Sequence, residues 1–403
     1  MRKISILLWL SLAVGGCVEI STYRPVETRG TTRIGQIESP SSASEAQRIR
    51  VAILVREPLV HLLAPETFSL SGFPLDATPV ALDKGNSEGA AQRYREATLK
   101  PSMLYSHNAY IEPLGEGQIQ VNGKGYRGSM EIIGDTQGTL TVINDLPLED
   151  YVMGVLAGEV PRNWPLEALK AQAIAARTFA VLKRQEARQK GDHYDLENNA
   201  SFQVYHGSDL VNDNIKKAIL ETKGEIATYG SSPILAFFHS NCGGKTSRAL
   251  EVWSKDKPYL QTVDCPYGNN GEHFRWRVEI PIADLVRKLH KAGLIMADVV
   301  RINTEDRDES GRIIRLSLMD ADGRVKTIKG SAFRMALGPD LLKSTRFDAI
   351  VGSNKVVFSG KGWGHGVGLC QEGACGMALK GYNAFDILRH YYKGIMVESL
   401  GKK

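Results

Sequence analysis

Cysteine is scarce in this sequence, five in 403 residues, and no two of them form a CxxC pair. That weakens a metal-ribbon reading. No basic run interleaved with aromatics is present, so nothing points to nucleic acid. Internal repeats, coiled-coil heptads and a second membrane segment are also missing. Charge of one sign is nearly absent in excess: 50 Lys and Arg stand against 45 Asp and Glu, a net +5. That mild surplus fits an anionic polymer or a membrane surface but requires neither. What remains is an ordinary globular composition, 42% hydrophobic and 24% charged. It is enough for a sizeable core, in two domains or in one large domain with insertions.

The one apolar run lies at the start. Arg2 and Lys3 precede the stretch Ile4–Val14, which ends in "VGGC" before Val18. The run is too short to span a bilayer comfortably and has the form of an export signal. Small residues directly before Cys17 resemble a bacterial lipobox. Residues 1–16 are therefore expected to be a signal peptide, Cys17 the lipidated first residue, and 17–45 a polar flexible tether. This places the mature chain on the periplasmic face of the cell envelope, anchored to a membrane. Valine rather than aspartate after Cys17 leans toward the outer membrane.

Beyond the tether, short apolar or alternating stretches such as "RVAILV", "GQIQVN" and "LTVIN" predict a β-rich region. A helical block follows. Leu148, Tyr151, Val152 and Val155 share one face of a helix that Asn144 or Asp145 is placed to cap, and Pro161 ends it. Pro165 opens a second helix rich in alanine, at 168, 171, 173, 175 and 176, which Gly191 terminates. Residues 225–240 read as two strands around a Gly-Ser-Ser-Pro turn. Residues 275–355 read as a smaller α+β unit, with a hairpin turning at Asp322-Gly323. Helices are expected from Gln371 to about Lys380 and from Ala384 to Lys393, the latter capped by Asn383. The fold class is mixed α+β.

Several residue patterns could carry chemistry. Glu159, in "GEVPRNWP", sits at the bend between the two helices, where a partly apolar setting raises a carboxyl pKa and suits it to donate a proton. Lys170 and Arg177, seven apart, share a helix face and could hold an anionic or polar ligand. His239 and Cys242 in "FFHSNCGGKT" are spaced like two metal ligands, with Cys265 and Cys370 or His365 to complete a set. A Cys242–Cys265 disulfide is the competing reading in an oxidising compartment. His365 and Cys370 in "HGVGLC" also invite a thiol nucleophile, but no third orienting residue accompanies them. In "GKGWGHGVG", residues 360–368, glycine takes every second position. As a strand, this run would expose bare backbone on one face and Lys361, Trp363 and His365 on the other. The bare face is expected to pack against a neighbouring element near the helix that bears Arg177.

The stretches "YVMGVLAGEVPRNWPLEALKAQAIAARTFA", "YDLENNASFQVYHG", "FFHSNCGGKT" and "GKGWGHGVGLCQEGACGMALKGYNAFDILRHYYKG" together resemble the stage II sporulation protein D / amidase enhancer family. The likeness runs from about residue 110 to 396. It implies residues 46–130 as a β-rich N-terminal region, 131–274 as the family core with a helical catalytic segment, 275–355 as an insertion, and 356–403 as the strand and helices completing the core.

The resemblance also implies peptidoglycan as substrate and Glu159 as the acid/base of a lytic transglycosylase. Such an enzyme cleaves MurNAc–GlcNAc bonds of denuded glycan strands and leaves 1,6-anhydro ends, with no cofactor. Lys170, Arg177, Gln203, Tyr205, His239, Ser240, Trp363 and His365 would contact the glycan. Some members hold a zinc at the positions that here read Glu197, Ser201 and Phe202, so that site is absent and no metal is expected. The alternative the family allows is a non-catalytic enhancer that binds the wall and stimulates a cell-wall amidase. Besides glycan and a possible amidase, the membrane, reached through the lipid anchor, is the remaining partner.

Overall fold

The computed structural model describes residues 47–401 apart from 66–67, 72–78, 82–92, 105–107, 114–116, 200–202 and 254–255. The signal, Cys17 and the tether lie outside the described residues. Alternation from Arg48 onward builds a six-stranded sheet in the order 196–197, 48–57, 140–147, 129–134, 109–113, 68–71. Its pairs are antiparallel except the outermost, where Val51 and Ala52 run parallel to Leu196 and Glu197. Ile49, Val51 and Ile53 enter the core, while Arg50 between them pairs with Glu131. A five-stranded antiparallel sheet, in the order 79–81, 93–99, 60–65, 119–121, 124–126, completes the β-rich N-terminal part.

Helix α1 (Leu148–Glu159) buries Leu148, Tyr151, Val152 and Val155, the face its spacing predicts. The expected caps are employed elsewhere. The Asn144 amide donates to the Arg127 and Ser129 carbonyls, Asp145 pairs with Arg48, and Pro147 occupies the cap position. Glu149 and Asp150 still bring favourable negative charge to the first turn. Val160 turns extended before Pro161 and ends the helix.

Helix α2 (Leu166–Lys190) starts after Pro165 and stops at Gly191, whose φ of 75° is left-handed. Its alanines at 168, 171, 173, 175 and 176, like Ala180 and Ala187, are all buried. Their short side chains let several elements approach at once. Helix α1, helix α3 (Asp213–Glu221), strand Glu225–Tyr229 and two C-terminal helices all pack on α2. Further along come α4 (Ala249–Trp253), α5 (Ile282–Lys291), α6 (Gly330–Leu337), α7 (Gln371–Leu379) and α8 (Ala384–Tyr391). Asn383 caps α8 by accepting from the Asp386 N–H at 3.0 Å. No helix among the described residues is long and apolar enough to cross a membrane.

Two cores result. The larger one joins the N-terminal sheets to α1, α2, α7 and α8. The smaller draws its buried members from Trp276 to Phe358. Around it stand a sheet of 275–281, 355–361 and 347–351 and a second of 301–307, 313–319 and 325–329. The arrangement is mixed α+β.

The glycine run departs from the strand expectation. Strand Lys355–Lys361 includes only its first two residues. Beyond it Gly362, Gly364, Gly366 and Gly368 have φ of 79°, 105°, 85° and 73°. That region admits glycine freely and other residues at a cost. The bare backbone does meet close neighbours, chiefly residues 237–243, whose Phe237 ring centre lies 5.9 Å from that of Phe179 on the helix bearing Arg177. Gly366 meets the Arg312 guanidinium instead. A β-carbon at Gly364 would lie 2.8 Å from His239 Cβ, and one at Gly368 2.2 Å from the Phe237 carbonyl oxygen.

Candidate active site

Glu159 is the last residue of α1. Its carboxyl is half-buried beside residues 203–206. Oε1 accepts the Val204 N–H at 2.8 Å, and Oε2 lies 3.5 Å from the Gln371 side-chain amide, at the outer limit of a hydrogen bond. Burial pushes its pKa up, and the two donors pull back against that only in part. The negative end of the α1 dipole acts in the same direction as burial. The result is a carboxyl group biased toward its acid form that keeps donors ready for its anion.

The partners of Glu159 come from far along the chain. Gln371 stands 212 residues away; it opens α7 and is almost fully buried. Motif reading passed over Gln371, although it lies within "GLCQEGA". It also passed over His206. A β-carbon on Gly158 would come within 2.8 Å of the His206 ring, so this imidazole borders the glutamate's helix end. Burial, helped by Lys124, lowers the His206 pKa and favours a neutral ring.

Several expected ligand groups are instead tied into the fold. Arg177 has no exposed surface. It grips Glu149 through Nε at 3.0 Å and Nη2 at 2.6 Å, and its Nη1 donates to the Glu225 carbonyl. The face it shares with Lys170 turns toward packed neighbours, not toward a groove. Lys170 is held by Glu167 at 2.9 Å and Glu221 at 3.3 Å. Gln203 is buried, accepting from the Tyr151 hydroxyl and donating to the Ala176 carbonyl. Tyr205 is buried too, donating to Asn144 between the rings of Tyr126 and Tyr151. Arg177, Gln203 and Tyr205 are buried in the site's support, and the partly exposed Lys170 ammonium is engaged by two carboxylates.

The C-terminal candidates separate into two groups. His365 packs among Phe237, Trp253 and His239. Burial, then Arg312 and Arg334, push its pKa down to about 3. Neither partner of Glu159 is His365. Trp363 lies on another side. The Lys343 ammonium sits 4.0 Å from its ring centre, and His273 meets it edge-on while bonding Glu372 at 2.5 Å. The Ser240 carbonyl accepts the Glu372 N–H, which ties the "FFHSNC" segment to α7. His239 is buried, with Nδ1 3.1 Å from the Val367 carbonyl.

Cys242 and Cys265 are free thiols, both fully buried, so the expected bridge is not formed. Cys370 shares their pocket. It too is a buried free thiol, and burial raises its pKa, which argues against a poised nucleophile. Glu197 accepts from the Tyr194 hydroxyl at 2.7 Å. Ser201 and Phe202 lie outside the described residues.

Comparison with known proteins agrees with this geometry. A family profile described as Stage II sporulation protein matches residues 136–229, which include Glu159, Val204 and His206. A profile described as a domain of unknown function matches 252–368. An uncharacterised protein of Brachyspira hyodysenteriae is 36% identical over 275 residues, 68% of this chain and 73% of that protein. Stage II sporulation protein D of Bacillus amyloliquefaciens is 33% identical over 267 residues, 63% of this chain and 74% of that protein. The amidase enhancer of Bacillus subtilis is 29% identical over 343 residues, 73% of this chain but 47% of that protein. The shared length, and the helix pair that carries Glu159, place this chain in the stage II sporulation protein D family.

Proposed function

We propose that the chain is a peptidoglycan lytic transglycosylase in which Glu159 acts alone as acid and base. The observation that carries this reading is the half-buried carboxyl at the end of α1, raised in pKa and held by the Val204 N–H and the Gln371 amide. Oε1 is committed to Val204, which leaves Oε2 to exchange the proton. The acid form protonates the oxygen of the MurNAc–GlcNAc bond. The carboxylate left behind is stabilised by its two donors. It then takes the proton of the muramoyl 6-hydroxyl as that oxygen closes the 1,6-anhydro ring. Atoms balance without water, and no second carboxylate is needed, in contrast to hydrolytic glycosidases.

The cell-wall setting rests on the relatives' names, a sporulation protein and an amidase enhancer. Export and lipidation at Cys17 belong to the same reading. A second reading, a wall-binding amidase enhancer without catalysis, is favoured by one relative's name and by the burial of Arg177, Gln203 and Tyr205. The two part in one experiment. Purified protein is incubated with denuded glycan strands and the products are examined by mass spectrometry for anhydro-muramoyl ends. Wild type yields them and Glu159→Gln does not if the enzyme reading holds. Neither protein yields them, yet both stimulate an amidase, if the enhancer reading holds.

A further inference from the structure

Three cysteines far apart in sequence meet in one buried place. Cys242 follows strand Phe238–His239, Cys265 precedes the turn at Pro266–Gly268, and Cys370 is the N-cap of α7. None has exposed surface. A β-carbon at Gly373 would lie 2.6 Å from Cys265 Sγ and 3.2 Å from Cys370 Sγ, so these two sulfurs border one spot. Donors converge on the sulfurs. The Gly244 N–H reaches Cys242 Sγ at 3.3 Å, and the N–H groups of Cys242 and Gly373 reach Cys370 Sγ at 3.2 and 3.4 Å. The Tyr391 hydroxyl shares a hydrogen bond with Cys265 Sγ at 3.1 Å. Donors arranged in this way stabilise negative charge on sulfur.

His239 faces the same place. One ring nitrogen of His239 and the sulfurs of Cys242 and Cys370 lie within 4.8 Å of one another. Nδ1 is committed to the Val367 carbonyl, which makes it the protonated nitrogen and leaves a lone pair on Nε2. Nε2 is buried and has no hydrogen-bond partner among the described residues. A neutral imidazole whose far nitrogen donates to a backbone carbonyl is the form in which histidine binds metal.

A buried cation completes the neighbourhood. Arg312 is 2% exposed. It donates to the Cys242 carbonyl at 2.9 Å and the Gly364 carbonyl at 3.4 Å, while its Nε is unpartnered. Among the described residues no carboxylate comes within ion-pair distance of its guanidinium. Asp308 acts on it only from beyond that distance.

We propose that His239 Nε2 and the sulfurs of Cys242, Cys265 and Cys370 form a closed four-coordinate site for zinc. Three thiolates, a neutral imidazole and a divalent ion carry a net charge of −1, which Arg312 offsets. Binding makes three Zn–S bonds and one Zn–N bond and releases the thiol protons to solvent, with no change of oxidation state. Zn–S bonds of about 2.3 Å in a tetrahedron put the sulfurs about 3.8 Å apart; His239, Cys242 and Cys370 are already within 4.8 Å of one another, and Cys265 Sγ moves in to close the set. A disulfide explains less. It joins two sulfurs and leaves the third, the Nε2 lone pair and Arg312 without counterparts. The site is distinct from the family zinc positions, which here read Glu197, Ser201 and Phe202.

With all four positions filled by protein, the ion is structural, not catalytic. It fastens strand Phe238–His239 and the Cys265 loop to the first residue before α7. The next residue, Gln371, is the one that reaches Glu159. The ion therefore holds the C-terminal wall of the candidate active site against α1, whatever the reaction there.

The test uses the full-length chain, purified without chelator, and zinc or cobalt alone as the probe. Elemental analysis is expected to find about one zinc per chain. Exchange for cobalt is expected to give intense visible bands of tetrahedral Co(II) together with thiolate-to-cobalt charge transfer. His239→Ala should keep charge transfer but lower metal affinity at least about tenfold. Cys375→Ser, which alters the one free cysteine outside the cluster among the described residues, should change neither. A reduced wild-type chain that takes up no zinc and no cobalt overturns the proposal without reliance on any variant. So does a disulfide between any two of the three cysteines that persists when metal is supplied. Unchanged affinity in His239→Ala overturns the four-ligand set.

Discussion

At the scale of single residues, the protonation of Glu159 governs two properties with a shared sign. Its pKa is raised on folding, so the folded chain binds the proton more tightly than the unfolded one. The stability this contributes is fully present below the ordinary carboxylate pKa and is lost as pH rises through the raised value. Activity that needs the acid form declines over the same rise. Glu159→Gln removes the ionisation, so its melting temperature should gain on wild type as pH increases from 4 to 8. A gap that is independent of pH in paired thermal melts would count against a buried, shifted carboxyl.

Arg177 makes the opposite case. Its guanidinium sits in a two-point pair with Glu149 and has no exposed surface. Arg177→Met should cost about 3 kcal/mol of stability in denaturant titrations, because Glu149 loses its partner. The folded fraction should keep its glycan affinity. A loss of affinity at unchanged stability would return Arg177 to the groove. Spacing alone placed Lys170 and Arg177 on one face correctly. It could not say where that face points, because α2 is packed on several sides and its alanine pattern marks more than one of them.

At the scale of elements, the bend between α1 and α2 was readable. Apolar spacing, Pro161, Pro165 and Gly191 mark its ends by local chemistry. The run 360–368 was readable only in part. Alternating glycine correctly signals a close approach of backbone, but four left-handed φ values take the place of a strand. Side-chain alternation carries no information about φ, so the strand is the part that does not hold. Gly368→Ala tests the observed packing. The added methyl meets the Phe237 carbonyl at 2.2 Å and forces a left-handed alanine. A loss of about 3 kcal/mol is expected from chemical unfolding. A neutral result would mean the contact is looser than the geometry requires.

At the scale of the whole molecule, the candidate site is assembled from three distant parts of the chain: the end of α1, residues 203–206 and the start of α7. The first and last lie on elements that pack against α2. Mixed α+β class and most helices followed from local patterns, since caps, alternation and periodicity act within a few residues. The pairing of Glu159 with Gln371, and the gathering of Cys242, Cys265 and Cys370, depend on tertiary packing across long separations. No local pattern encodes those separations. For the same reason Gln203 and Tyr205 read as ligand groups, although their hydroxyl and amide bonds are spent inside the core.

The central claim is that one glutamate performs non-hydrolytic cleavage of the glycan. Its most direct test is mass spectrometry of denuded glycan strands after incubation with wild type and with folded Glu159→Gln. Wild type should give 1,6-anhydro-muramoyl ends and the variant at least about a thousandfold fewer. Reducing ends in place of anhydro ends, or anhydro ends undiminished by the substitution, would contradict it.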